Sequence, residues 1–254
     1  MENNYLEEWL NYHFEKLKVD HIFLNDNNDP DGEEIHEIVN NNPHKDNITV
    51  IDCRGRKYYQ TWAYTNCFRK YKKDFDWMIF IDLDEFIVIE DKFEGDIHNF
   101  LKMDIFDNIN VIRLFWKHYG DNGLIENPEH KILDVFTECL PNHPKNHAGK
   151  SIIRTRLELT ESYKITAHGY DNKLNEPAVD ATGKRVRNTN YMIDKSYVCW
   201  ENAWLNHYPT KSLKEYIEQK TFRGDPTTTK FDNKYNLEHY FEYNERTAEK
   251  MEFA

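Results

Sequence analysis

The stretch WMIFIDLDEFIVIE, residues 77–90, sets an almost wholly apolar run against three acids, Asp82, Asp84 and Glu85, within four positions. A short apolar run bounded by polar residues reads as a buried strand, here over 77–82. Acids at the end of such a strand are costly to fold around unless water or a positive group meets them.

The residues before this run decide what kind of sheet it joins. From Tyr5 to Leu17, Leu6, Trp9, Leu10, His13, Phe14 and Leu17 recur at spacings of three and four, the pattern of an amphipathic helix. Val19 to Leu24 reads as a short buried strand that ends in the polar turn NDNNDPDG (25–32). Glu33 to Asn40 reads as helix, Ile48 to Cys53 as strand and Tyr58 to Lys73 as helix. Strands alternating with helices predict parallel βαβ units, whose ligands bind at the carboxyl ends of the strands. Three of those ends carry Asp26, Asp52 and Asp82.

Beyond residue 90 the pattern loosens. Asp96 to Phe106 reads as helix, Val111 to Trp116 as strand and HYGDNG (118–123) as a turn. Lys150 to Thr155 and Tyr163 to His168 read as strands. Residues 169–195 are polar and loop-like. Tyr197 to Tyr208 reads as extended, and Ser212 to Phe222 and Leu237 to Met251 as helices. With no internal repeat and no linker, the expectation is one domain over 1–254, in two halves at about 1–90 and 91–254.

The formal charge is −12 and no basic stripe is visible, which argues against nucleic acid as a partner. A small phosphorylated ligand stays open, because a metal ion can supply the positive charge. Aromatic residues make up 15% of the chain, enough to cup flat polar ligands such as sugars or bases. Cys53, Cys67, Cys139 and Cys199 are widely spaced and read as free thiols of a reducing compartment. No apolar run reaches the ~18 residues a membrane span needs. The expected location is cytoplasmic, extending to peripheral contact at the inner face of a membrane.

Asp82 and Asp84, two positions apart, can bracket a cation at the end of a strand. Mg²⁺ and Mn²⁺ take oxygen ligands and leave room for phosphate oxygens. His207, in LNHYPTKS (205–212), is the candidate third ligand, since neutral imidazole suits Mn²⁺. Lys211 and Arg223 are candidates to meet a diphosphate, the first as a point charge and the second bidentately.

Five segments in order, ENNYLEEWLNYH, VDHIFLNDNNDPD, QTWAYTNC, DWMIFIDLDEFIV and LNHYPTKSLKEYIEQKTFRG, resemble the family-2-like glycosyltransferases of the GT-A fold. The nearest group is the one related to glycosyltransferase family 92 and its bacterial lipopolysaccharide and capsule relatives. The resemblance covers roughly residues 2–224. It implies an α/β, Rossmann-like domain with a central, mostly parallel sheet flanked by helices, here lacking the family's first strand. It implies inverting transfer of a sugar from a nucleotide-diphosphate donor, a UDP-sugar, to a glycan or lipid-linked hydroxyl acceptor, with Mn²⁺ or Mg²⁺ as cofactor. Asp84 would be the main metal ligand, Asp82 would face the donor ribose or the metal through water, and His207 would complete the site. Glu85 would support the turn. Asp26 and Asp52 would lie near the donor base or ribose, and Lys150 and Arg154 would reach the diphosphate or acceptor. Asp29 stands where the family has serine. An inverting reaction also needs a carboxylate base, for which Asp121 and Glu201 are the candidates, and Trp116, Trp200 and Trp204 are candidates for an acceptor platform. Two other functions compete: a metal-dependent phosphohydrolase of nucleotide sugars, and a non-catalytic nucleotide- or sugar-binding module.

Overall fold

Strands alternate with helices through residue 71. The computed structural model describes residues 3–32, 34–56, 59–128, 131–158, 164–170, 178–186, 193–221 and 235–244. Helix α1 (Asn3–Asn11) turns Tyr5, Leu6, Trp9 and Leu10 inward and runs into a π-helical segment, Tyr12–Lys16, that buries His13 and Phe14. Strands β1 (Ile22–Asp26) and β2 (Ile48–Asp52) lie parallel, in register from Ile22 against Ile48 to Asp26 against Asp52. Helix α2 (His36–Asn41) lies between them in the chain, and α3 (Gln60–Tyr71) follows, burying Ala63, Tyr64, Cys67 and Phe68.

The strand expected over 77–82 is shorter, and a second strand follows. Strand β3 (Trp77–Ile79) stops early, and β4 begins at the last acid (Glu85–Ile89). The Glu85 N–H donates to Asp82 O at 3.0 Å and closes the turn between them. Trp9 Nε1 donates to Glu85 O and Tyr12 OH to Ile87 O, each at 2.8 Å, which fastens α1 and its π-helical extension along β4.

After helix α4 (Ile97–Leu101), strand β5 (Val111–His118) runs through the core, buried at every residue but Lys117. Helix α5 (Ile132–Val135) and strand β6 (Gly149–Arg154) follow, then the pair β7 (Ile165–Thr166) and β8 (Gly169–Tyr170). Strands β9 (Ala178–Asp180) and β10 (Arg185–Val186) arise in the polar stretch read above as loop. Strand β11 (Ala203–His207) is followed by α6 (Leu213–Glu215), the π-helical segment Tyr216–Lys220 and α7 (Leu237–Tyr243).

The expectation of a mostly parallel sheet is corrected. β5 pairs in parallel with β9 and β11 but antiparallel with β6, while β3 joins β6, β4 joins β11 and β10 joins β9, all antiparallel. The β1–β2 pair stands apart from this seven-stranded mixed sheet. Among the described residues β1 and β3 each pair along one edge only. A cavity of about 1800 Å³, lined by residues of both strands, extends to the acidic turn. Phe86, Ile112, Leu114 and Phe115 are fully buried, and each such side chain contributes roughly 1.5–3 kcal/mol by leaving water.

Buried imidazoles make this fold acid-sensitive. Burial holds His13 and His143 down at about 4. Below the ordinary histidine value the unfolded chain takes up protons that these sites refuse, so stability rises with pH between about 4 and 6.5. At pH 5 each site is expected to cost about 2 kcal/mol relative to neutral pH. Calorimetric melting from pH 4 to 8 checks this; a melting temperature that stays level from pH 7 to 5 would contradict it.

Candidate functional site

The positive group that the acidic turn calls for is a lysine. Lys150 of β6 is almost wholly buried, with Nζ 2.8 Å from Asp82 Oδ2 and 3.6 Å from Glu85 Oε2. The other oxygen of Asp82 accepts from Gln60 Nε2 and Tyr64 OH, both at 3.1 Å and one helical turn apart on α3. Burial pushes the Asp82 carboxyl up, but the Lys150 ammonium outweighs it and holds the group down at about 2. Glu85 has no exposed surface. Trp116 Nε1 donates to it at 2.8 Å and the Asp82 N–H at 3.1 Å, and burial raises it to about 8 against the pull of Lys150. Its contacts are those of a residue that holds the turn.

Asp84 is positioned by a different part of the sheet. Strand β11 lies against β4 with His207 opposite Glu85, and against β5 with His207 opposite His118. Tyr208 N–H donates to Asp84 O at 2.9 Å, which ties the turn to the end of β11. His207 Nε2 stands 3.7 Å from Asp84 Oδ1, and Lys220 Nζ stands 3.4 Å from Asp84 Oδ2. Burial lowers His207 well below the ordinary histidine value, and Lys220 and Lys150 add to the effect. The Trp116 ring covers His207 at 4.4 Å between centroids. Asp82, Asp84, His207, Lys220 and Trp116 all line the cavity.

Other candidates lie elsewhere. Asp26 lines the cavity, buried, with Asn28 N–H on its Oδ1 at 3.1 Å. Asp52 is exposed and clasped by Arg54, whose Nε lies 3.1 Å from its Oδ1. Arg154 sits at the far end of β6, over the Trp77 ring at 4.0 Å and bonded to the carbonyls of Ile109 and Phe106. Lys211 is buried against Glu215 at 3.0 Å, under the Tyr5 ring. Asp121 is buried in its own turn, its carboxylate accepting from Gly123 N–H at 2.9 Å and Tyr240 OH at 2.5 Å. Glu201 is exposed before the start of β11, whose other end carries His207. Strand alternation separates the tryptophans: Trp204 and Asn206 point to the face opposite Leu205 and His207, where Lys117 lies over both Trp200 and Trp204. Arg223 falls outside the described residues.

Five participants are not among the candidates drawn from the sequence. Gln60 and Tyr64 sit within the quoted QTWAYTNC segment, and their spacing puts both on one helix face. Lys220 stands three residues before Arg223 with nothing local to mark it. His118 and Asn146, which reach His207 from behind, are far from it in sequence.

The donor chemistry suits a divalent cation only in part. Among the described residues no three His, Cys, Asp or Glu side chains converge as a ready-made metal site. Asp82 has both oxygens engaged. Asp84 and His207 remain, a carboxylate beside an imidazole nitrogen, which fits an ion whose other positions are filled by a ligand's oxygens and water.

A mixed α/β domain with such a turn at the edge of a large cavity has the features of a small-molecule binding domain. The profile of Glycosyltransferase family 92 matches residues 34–246, and the chain belongs to that family. It is similar to a glycosyltransferase family 92 protein of Arabidopsis thaliana, 28% identical over 181 residues, covering 66% of this chain and 29% of the relative. A family 92 protein of Ricinus communis is 26% identical over 181 residues, 65% of this chain and 29% of the relative. One from Oryza sativa subsp. japonica is 28% identical over 163 residues, 59% of this chain and 24% of the relative. The chain thus spans under a third of the length of these relatives.

Proposed function

We propose that the protein transfers a sugar, with inversion, from a nucleotide-diphosphate donor, a UDP-sugar, to a hydroxyl of a glycan or lipid-linked acceptor. The observation that carries this reading is the meeting of Asp84 Oδ1 and His207 Nε2 at 3.7 Å on the wall of the cavity, in a chain of this family. Asp84 and His207 would hold Mn²⁺ or Mg²⁺, and a bound divalent ion supplies Lewis-acid neutralisation of a departing diphosphate.

The chain's own residues do the rest. Lys220, beside Asp84, offers a second positive charge to the phosphates. Lys150 keeps Asp82 ionised, and Gln60 and Tyr64 fix its direction. Its side chain is 41% exposed, and it faces the cavity as an acceptor for donor hydroxyls. Trp116 shields one face of His207 from water. Asp121 and Glu201 do not line the cavity, so neither is proposed as the base, and of the three tryptophans only Trp116 is proposed to meet a substrate.

Calorimetry of UDP binding tests the reading. Binding is expected with Mn²⁺, to vanish in Asp84→Asn and to fail with chelator; equal affinity with and without chelator would refute the metal site. Turnover of UDP-sugars over an acceptor panel then separates the functions. UDP release faster without acceptor than with any would favour hydrolysis, and binding without transfer would favour a non-catalytic module.

A further inference from the structure

A histidine can serve a cation only through a ring nitrogen that carries no proton. Which nitrogen of His207 is bare follows from a chain of contacts that begins at Asn146. The Asn146 Nδ2 donates to the carbonyls of Leu140 at 2.8 Å and Pro141 at 3.1 Å. Its Oδ1 accepts the backbone N–H of His118 at 3.1 Å. Reversing the amide would break all three bonds, so its orientation is determined. The same Oδ1 lies 2.6 Å from His118 Nδ1, and two acceptors cannot face each other at that distance. His118 Nδ1 therefore carries a proton.

His118 has no exposed surface, and among the described residues no carboxylate is paired with it. A second proton would be an uncompensated buried charge. Its Nε2 is then an acceptor, and what it faces at 2.9 Å is His207 Nδ1. That nitrogen must donate. The remaining nitrogen of a neutral His207 ring, Nε2, is the one 3.7 Å from Asp84.

We infer that Asn146 and His118 are positioning residues: through two consecutive hydrogen bonds they keep the proton of His207 on Nδ1 and turn Nε2, as a bare lone pair, toward Asp84. A lone pair facing a carboxylate is unfavourable until a cation lies between them, so the relay readies the pair for one. That purpose rests on the metal reading proposed above; the placement of the proton does not.

Imidazole nitrogen NMR on the metal-free chain reads the proton directly. His207 and His118 are both expected to show protonated Nδ1 and unprotonated Nε2. In His118→Leu the acceptor for His207 Nδ1 is gone, and His207 is expected to move toward the Nε2-protonated form, with Mn²⁺ affinity falling about 10- to 100-fold. In His118→Gln the side-chain oxygen can accept from His207, and this variant is expected to keep the wild-type His207 pattern. Protonated Nε2 on His207 in the wild-type chain would overturn the relay, and so would an unchanged pattern in His118→Leu. If that variant does not fold, the wild-type spectrum and His118→Gln still decide. The expected pattern in a chain that binds no Mn²⁺ would sustain the relay and refute the metal reading.

Discussion

Lys150→Met is expected to destabilise the protein by about 3 kcal/mol or more, because removing one partner of a buried ion pair leaves the other's charge uncompensated. The lysine is 1% exposed and Glu85 is not exposed at all. Burial works to discharge Lys150, yet the Asp82 and Glu85 carboxylates outweigh it and raise its affinity for the proton. Methionine fills similar space without the charge, so lost packing is not the cause under test. For a chain of this length the loss corresponds to a melting temperature lower by about 6–12 °C. The double variant Lys150→Met, Asp82→Asn is expected to recover part of it, since Asp82 is the ionised partner and the amide oxygen can still accept from Gln60 and Tyr64 while leaving no anion beside the methionine. A single variant within about 1 kcal/mol of wild type would show that the pair adds little. Thermal and chemical unfolding measure both.

The neighbouring residue should be as intolerant for a different reason. Gly149 pairs with Phe115 across β5 and β6. A Cβ there would lie 1.9 Å from Leu114 O and 3.0 Å from Phe115 Cα. These are backbone atoms of the central strand and cannot swing aside. Gly149→Ala is therefore expected to part β6 from β5, cost about 3 kcal/mol or more and displace Lys150 from the acidic turn. Gly120→Ala is the control. Its added carbon meets only side-chain atoms, at 3.4 Å and beyond, so a loss under about 1 kcal/mol is expected. Equal stability of the two variants would refute the steric argument.

Much of the first half of the molecule was legible because it depends on neighbours in sequence. Tyr5, Leu6, Trp9 and Leu10 mark the buried face of α1, and the helix–strand alternation through residue 71 follows from the same kind of periodicity. The run 77–90 misled at one point. Residues 77–82 read as a strand ending at the acids, but β3 ends at Ile79 and a second strand, β4, begins at Glu85, and that is visible only once β4 is paired with β11. β9 was missed because three residues in a polar stretch carry no period; their place comes from pairing with β5.

The candidate site divides along the same line. The residue types at Asp82, Asp84 and His207, their order and their place after an apolar strand are properties of the chain itself, and so is the kinship with family 92. What only the tertiary structure decided is what each of them is bonded to. Lys150 lies 68 positions from Asp82 yet takes one of its oxygens, while Asp84 keeps Oδ1 toward His207 with Lys220 on Oδ2. Strand alternation removed Trp204 from the face of His207, and an amide 61 positions away, through His118, set its proton. Periodicity reaches three or four residues along the chain, whereas charge pairing, sheet register and hydrogen-bond relays act across space.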